Sequence, residues 1–140
     1  MKYFALTVLC LLTLCGCTRY NQDKADTPAN QKGFARRLGQ PPTADVKGIY
    51  FYADEMGADC SYQFRFECSQ KTHDSLVQSL SLTNTTKLEG HLPGSAFPWW
   101  NARDIDTLPV HWKINAKGDY YWFLWYDVAK SEAFFLEYSL

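Results

Sequence analysis

The segment that most constrains this chain runs from Cys60 to Cys68. Cys60, Tyr62, Phe64, Phe66 and Cys68 alternate strictly with Ser61, Gln63, Arg65 and Glu67. A period of two places successive side chains on opposite faces, so this segment predicts a strand with one face buried and one wet. Such a strand needs neighbours, and the sequence supplies them. Residues 49–53 are aromatic and β-branched and predict a strand before it, with Glu55, Met56, Gly57 and Ala58 as the turn between. Downstream, Val110, His111, Trp112, Lys113 and Ile114 alternate apolar and polar. Gly118 then offers positive φ in a turn over residues 115–119. Residues 120–126 are apolar on both faces, which predicts an internal strand covered on both sides. Residues 133–140 predict a last strand. On this pattern His111 is expected on the solvent side of its strand.

Between these strands, Ser69 can cap a helix. His73, Leu76, Val77 and Leu80 follow at i, i+3, i+4 and i+7, one face of a helix over residues 70–80. His73 reads as a boundary or half-buried residue of that helix rather than a metal ligand. The predicted fold class is therefore α+β: an antiparallel sheet of about five strands with one helix packed on a face.

The strand argument bears on redox chemistry. If residues 60–68 are continuously extended, the two cysteine Cα atoms lie about 26 Å apart. A disulfide needs roughly 7 Å or less. Either the strand bends, or both cysteines are unbonded core thiols. Nothing between them makes a tight turn, so unbonded thiols are the expectation. Two cysteines without histidines at ligand spacing give no metal site, and no cofactor is expected.

The start of the chain has a different character. Lys2 precedes an apolar run over residues 4–14, broken only by Thr7 and Thr13. That run is too short to span a bilayer, which takes roughly 20 residues. It ends in Leu14-Cys15-Gly16-Cys17. This segment resembles the lipobox of bacterial lipoprotein precursors, with an aliphatic residue at −3, a small residue at −1 and then the modified cysteine. The resemblance covers the first 17 residues only. It implies a signal peptide over residues 1–16 and a mature chain that begins at Cys17, its thiol carrying a diacylglycerol and its amine acylated as well. Several acyl chains anchor stably where one would be marginal. Thr18 follows rather than Asp, which implies the outer membrane of a Gram-negative cell. The lipid bilayer is thus one expected partner, reached through Cys17. Residues 17–47 are polar and hold Pro28, Pro41 and Pro42, with Tyr20, Phe34 and Leu38 as the only sizeable apolar groups past the anchor's edge. They read as a lipidated flexible tether, with the small α+β domain over residues 48–140. Within the tether, Arg36 and Arg37 read as solvated linker.

The charge balance excludes one class of partner. Of 14 basic residues, Lys2 belongs to the signal peptide, and all 15 acidic residues lie downstream of it. Nothing there builds the basic face that nucleic acid requires.

The candidate site is the long loop over residues 92–108. It carries Trp99, Trp100 and Asn101 after a proline, then Asp104 and Asp106. Tryptophan is enriched where proteins grip partners, and it stacks on sugar rings. The same pair could instead cover the open face of the sheet. Aromatics beside two acids also resemble a glycosidase cleft. Acids at turns are ordinarily solvated or capping groups, however, and no nucleophile elbow or phosphate loop occurs. The expected function is a non-enzymatic, membrane-anchored binding module of the cell envelope. It would be of the inhibitor, immunity or adaptor kind and engage an envelope protein through this aromatic loop. Binding of carbohydrate or peptidoglycan is the alternative.

Overall fold

The computed structural model describes residues 20–55, 59–86, 92–94 and 97–140. The signal peptide, Cys17 and most of the expected turn at 55–58 lie outside the described residues. The chain folds in the order α1 (Pro28–Leu38), β1 (Lys47–Asp54), β2 (Ser61–Glu67), α2 (Gln70–Ser79), α3 (Ala102–Ile105), β3 (Val110–Ile114), β4 (Tyr120–Asp127) and β5 (Glu132–Ser139). The strands form one five-stranded antiparallel sheet in the order β1-β2-β5-β4-β3. The molecule is α+β. Among the described residues, no helix is long and apolar enough to cross a membrane.

Strand register explains why both faces bury aromatics. Phe64 lies opposite Phe51 on one side and Phe135 on the other. These inward residues join Ile49, Tyr62, Phe66, Leu124 and Tyr126 in one cluster, closed by Phe34 and Leu38 of α1 and Leu76 of α2. The other face gathers Val110, Phe123, Trp125, Phe134 and Leu136 beneath Trp100 and Ile105. β4 and β5 contribute to both clusters, as two-sided apolar strands must. Cys60 and Cys68 flank β2 at opposite ends and are unbonded. α2 starts where Ser69 caps it, the Ser69 hydroxyl accepting from Thr72 N at 3.2 Å.

Three expectations need correction. First, residues 20–47 are part of the folded body, not a flexible tether. α1 begins with Thr27 as N-cap and Pro28 in its first turn, and ends at Gly39 in the left-handed region. Its inward face is Asn30, Gly33, Phe34 and Leu38. Asn30 is fully buried, and its amide donates to the carbonyls of Asn21, Lys24 and Ile49 at 2.8–2.9 Å. Gly33 is needed because a Cβ there would lie 2.2 Å from Phe51 Cε1. Low apolar content misleads here: two well-placed large residues, one satisfied amide and one close approach dock the helix. Arg37 is likewise not solvated linker, since its guanidinium lies 3.3 Å from the Tyr62 ring centroid. Second, two helices rather than one contribute to the core on that face, and the loop over 92–108 holds the short α3. Third, His111 is half-buried rather than solvent-facing. Val110 and Trp112 take the other side of β3, which turns His111 toward His73 with ring centroids 5.5 Å apart. His73 itself is buried and stacks on Tyr126 at 4.7 Å.

Candidate functional site

The Pro-Trp-Trp segment divides into one core residue and one wall residue. Trp100 is 2% exposed and meets Trp125 and Phe134 edge-on at 6.4 and 6.1 Å. Its indole Nε1 is buried and finds no hydrogen-bond partner among the described residues. Trp99 is half-buried and stacks on Phe97 at 5.2 Å and on Tyr50 at 5.7 Å. Its Nε1 donates to the Gln22 carbonyl at 2.7 Å. Adjacent residues in a loop point apart, so only one ring of the pair can enter the core.

Asn101 caps α3, its side-chain oxygen accepting from Arg103 N at 3.2 Å. Its amide donates to Asp104 Oδ2 at 2.8 Å. Asp106 is the C-cap of α3. Of the residues expected to form a site, Trp99, Asn101 and Asp104 line a common groove, whereas Trp100 and Asp106 do not. The two acids therefore do not line this groove together.

The groove is open and encloses about 620 Å³. One wall is the segment from Pro98 through α3 to Leu108. The opposite wall comes from the sheet, with Tyr50 of β1, Arg65 of β2, Glu132 and Phe134 of β5, and Asp127 and Lys130 at the turn between β4 and β5. Sequence reading placed Arg65 simply on a wet face. The sheet order brings it beside Glu132, with which it pairs closely, and it also reaches Glu67 at 3.5 Å and the Gly48 carbonyl at 3.3 Å. Its guanidinium lies 5.9 Å from the Tyr50 ring. Lys130 pairs with Asp127 at 3.3 Å. Every cation in the groove has an acid beside it. The groove thus presents dipoles and hydrogen-bonding groups rather than a net positive field, which suits a neutral, polar ligand better than a phosphate.

A second polar cluster sits on the opposite face and was not expected. Glu137 points inward from β5, on the face of Ala133 and Phe135, and is 6% exposed. Its Oε1 accepts from Tyr120 Oη at 2.6 Å and from Arg37 at 3.4 Å, and Oε2 has no partner among the described residues. Arg37 also pairs with Glu55 at 3.5 Å. Cys60 Sγ lies 3.6 Å from Tyr120 Oη and 3.4 Å from Ser139 Oγ. Burial pushes the Glu137 carboxyl above the usual carboxylate range, against the pull of Tyr120 and Arg37. Burial and the Glu137 hydrogen bond push the Tyr120 hydroxyl up as well. None of these groups lines the groove. Their shared geometry clamps α1 to β5. The readable signal was an acid in phase with the apolar residues of its strand.

Cys68 is buried at the far end of β2, where desolvation pushes its thiol up to about 12. Such a thiol is inert as a nucleophile. Among the described residues, no group of three or more His, Cys, Asp or Glu side chains could hold a metal ion. No protein-family model, curated protein or solved structure matches this chain.

Proposed function

We propose that this chain is a lipid-anchored protein of the bacterial cell envelope, held in the outer membrane through Cys17, and that its folded body is a non-enzymatic binding module. The anchor rests on the Leu14-Cys15-Gly16-Cys17 sequence. The binding role rests on one observation: an open groove of about 620 Å³ in which Tyr50, Trp99 and Phe134 stand among paired side chains of both signs. Open grooves with a few placed polar groups on an apolar frame are where small domains take ligands. The ligand in this reading is an exposed segment of an envelope protein, as an inhibitor or adaptor would take. The groove, rather than protruding tryptophans, is the contact surface, because Trp100 is core and the Trp99 N–H is already bonded.

The test immobilises the acylated protein and passes solubilised envelope and periplasm over it. Lys130→Glu is the specific control, since Lys130 is exposed and lines the groove. A stoichiometric protein retained by the wild type and lost by Lys130→Glu is the expected result. Equal retention by both proteins would defeat the groove assignment.

Carbohydrate is the second reading, and one observation favours it. The groove sets the stacked Tyr50 and Trp99 rings beside Asn101, Asp104, Arg65 and Glu132. Rings that stack on a sugar beside planar groups that bond its hydroxyls are what a neutral glycan needs. Retention of the wild type, but not of Trp99→Ala, on purified peptidoglycan would select this reading.

A further inference from the structure

The edge of the sheet formed by β1 carries a continuous run of half-buried aromatics. Tyr20 meets Phe51 and Tyr52 edge-on at 5.8 and 5.5 Å. Tyr52 meets Phe97 at 4.7 Å, Phe97 stacks on Trp99 at 5.2 Å, and Trp99 stacks on Tyr50. Tyr20, Tyr52, Phe97 and Trp99 are all half-buried rather than closed into the core. Residues 20–26 run beside this edge, with Phe51 N donating to the Asn21 carbonyl and Asp26 N to the Ile49 carbonyl. The described chain therefore begins at the aromatic edge.

Covalent reach then limits where that edge can be. Three residue steps separate Cys17 from Tyr20. A chain spans at most about 3.6 Å per residue, so the Tyr20 Cα lies within about 11 Å of the Cys17 Cα. The headgroup layer on each side of a bilayer is roughly 5–8 Å deep. A lipid on Cys17 would hold Tyr20 in or just above that layer. Trp99 is tied to the same place, because its indole is bonded to Gln22, five residues from Cys17.

From this we infer that the Tyr20–Tyr52–Phe97–Trp99 edge is a membrane-docking surface that lies in the headgroup region of the bilayer beside the anchor. This rests on the lipidation of Cys17 proposed above. Tyrosine and tryptophan favour this zone, since each has an apolar body and a polar handle. The Trp99 N–H keeps its internal partner there, so docking strands no donor. The exposed charges around the edge are three acids, Asp23, Asp26 and Asp54, and one base, Lys24. Docking by this edge is therefore apolar and interfacial, and it does not require anionic lipid. β3 is the opposite edge of the sheet, four strand spacings or about 19 Å away. Trp112 on β3 is half-buried too, and it stays clear of the lipid.

The experiment uses the full acylated protein in phosphatidylcholine vesicles whose acyl chains carry bromine close to the headgroups. Flotation first establishes anchoring in wild type and its loss in Cys17→Ala. Bromine quenches nearby indoles, and the comparison is between Trp99→Phe and Trp112→Phe. Phenylalanine keeps a ring in the stack but gives up the indole bond to Gln22, so an unchanged urea unfolding midpoint is required of each variant before its quenching is compared. Trp99→Phe is expected to lose the greater part of the quenching and Trp112→Phe to keep it, with no dependence on salt. A wild type that floats, but whose quenching Trp99→Phe leaves unchanged, overturns the docking surface while the anchor stands. A wild type that fails to float overturns both.

Discussion

The two faces of the sheet are built from the same aromatic strands and closed in different ways. On one face, α1 and α2 cover the strands and hold polar groups inside by hydrogen bonds: Glu137 through Oε1 to Tyr120 and Arg37, and Asn30 to three backbone carbonyls. On the other face a short irregular segment with Trp100 and α3 covers the strands only in part, leaving the groove between Trp99 and Arg65. Helices satisfy their own backbone and can seal a surface. A loop must turn its backbone outward, so it leaves openings. The face covered by helices holds the fold, and the face covered by a loop is the one available for recognition.

The sharpest way to break this comparison is within the tryptophan pair. Trp100→Ala removes a fully enclosed indole and should cost about 3–5 kcal/mol of stability. Trp99→Ala should cost clearly less, because its ring is half-buried. Urea unfolding of the two variants measures the difference. Equal costs would mean that Trp99 is core and that the groove wall is not a separate feature.

Next in size is Gly33→Ala on the helical face. Alanine favours a helix over glycine by about 1 kcal/mol. Against that, the new Cβ would lie 2.2 Å from Phe51 Cε1, inside a packed core. Overpacking costs about 1–3 kcal/mol, and so short an approach belongs at the upper end. A net loss of about 1–2 kcal/mol is expected, with α1 displaced and the near-ultraviolet dichroism changed. No change in stability would return residues 20–47 to the status of a tether, and a gain would mean that the Phe51 ring yields to the new Cβ.

That helix also shows what could and could not be read from the sequence. The period of two between Cys60 and Cys68, and the Ser69 cap with Leu76 inward, survive folding because each element carries its own pattern. α1 does not advertise itself, because two of its four inward residues are Asn30 and Gly33. Its boundary residues, Thr27-Pro28 and Gly39, lie in a polar stretch that reads as tether, and they take on meaning only with the helix between them. The groove was less legible still. Tyr50, Arg65, Trp99 and Glu132 meet only because β5 inserts between β2 and β4, and strand order is not a local property. Which tryptophan of the pair turns inward was undetermined for the same reason.

A smaller effect should appear on acidification. His73 is buried against Tyr126, and desolvation lowers its pKa below the ordinary histidine value of about 6.5. His111 faces it and opposes a second charge, while Asp74 at 3.1 Å pulls the other way. The unfolded chain then binds the proton more readily than the folded one. The stability His73 contributes is present above about pH 6.5 and is lost as pH falls through the folded value. Glu137 works in the opposite sense: its raised pKa favours the folded state below the ordinary glutamate range, and that advantage fades as pH rises. Unfolding midpoints from pH 5 to 8 should therefore flatten at the acid end in His73→Phe. In Glu137→Gln they should flatten where pH rises above the ordinary glutamate range. A His73→Phe profile parallel to wild type would place the titration elsewhere.

The smallest effect on stability is expected from Lys130→Glu, and that is its use. Lys130 is a surface residue whose side chain is 64% exposed, and its pair with Asp127 spans only three residues. Such pairs contribute about 0–1 kcal/mol, so the midpoint of unfolding should hardly move. In the groove the substitution changes more. It adds a fourth carboxylate to Asp104, Asp127 and Glu132 and leaves Arg65 as the only cation among the lining residues. A ligand that bonds to both signs would lose a donor and meet repulsion. Binding lost at unchanged stability would separate the recognising face from the supporting one in a single variant. Binding retained at unchanged stability would move recognition away from the groove.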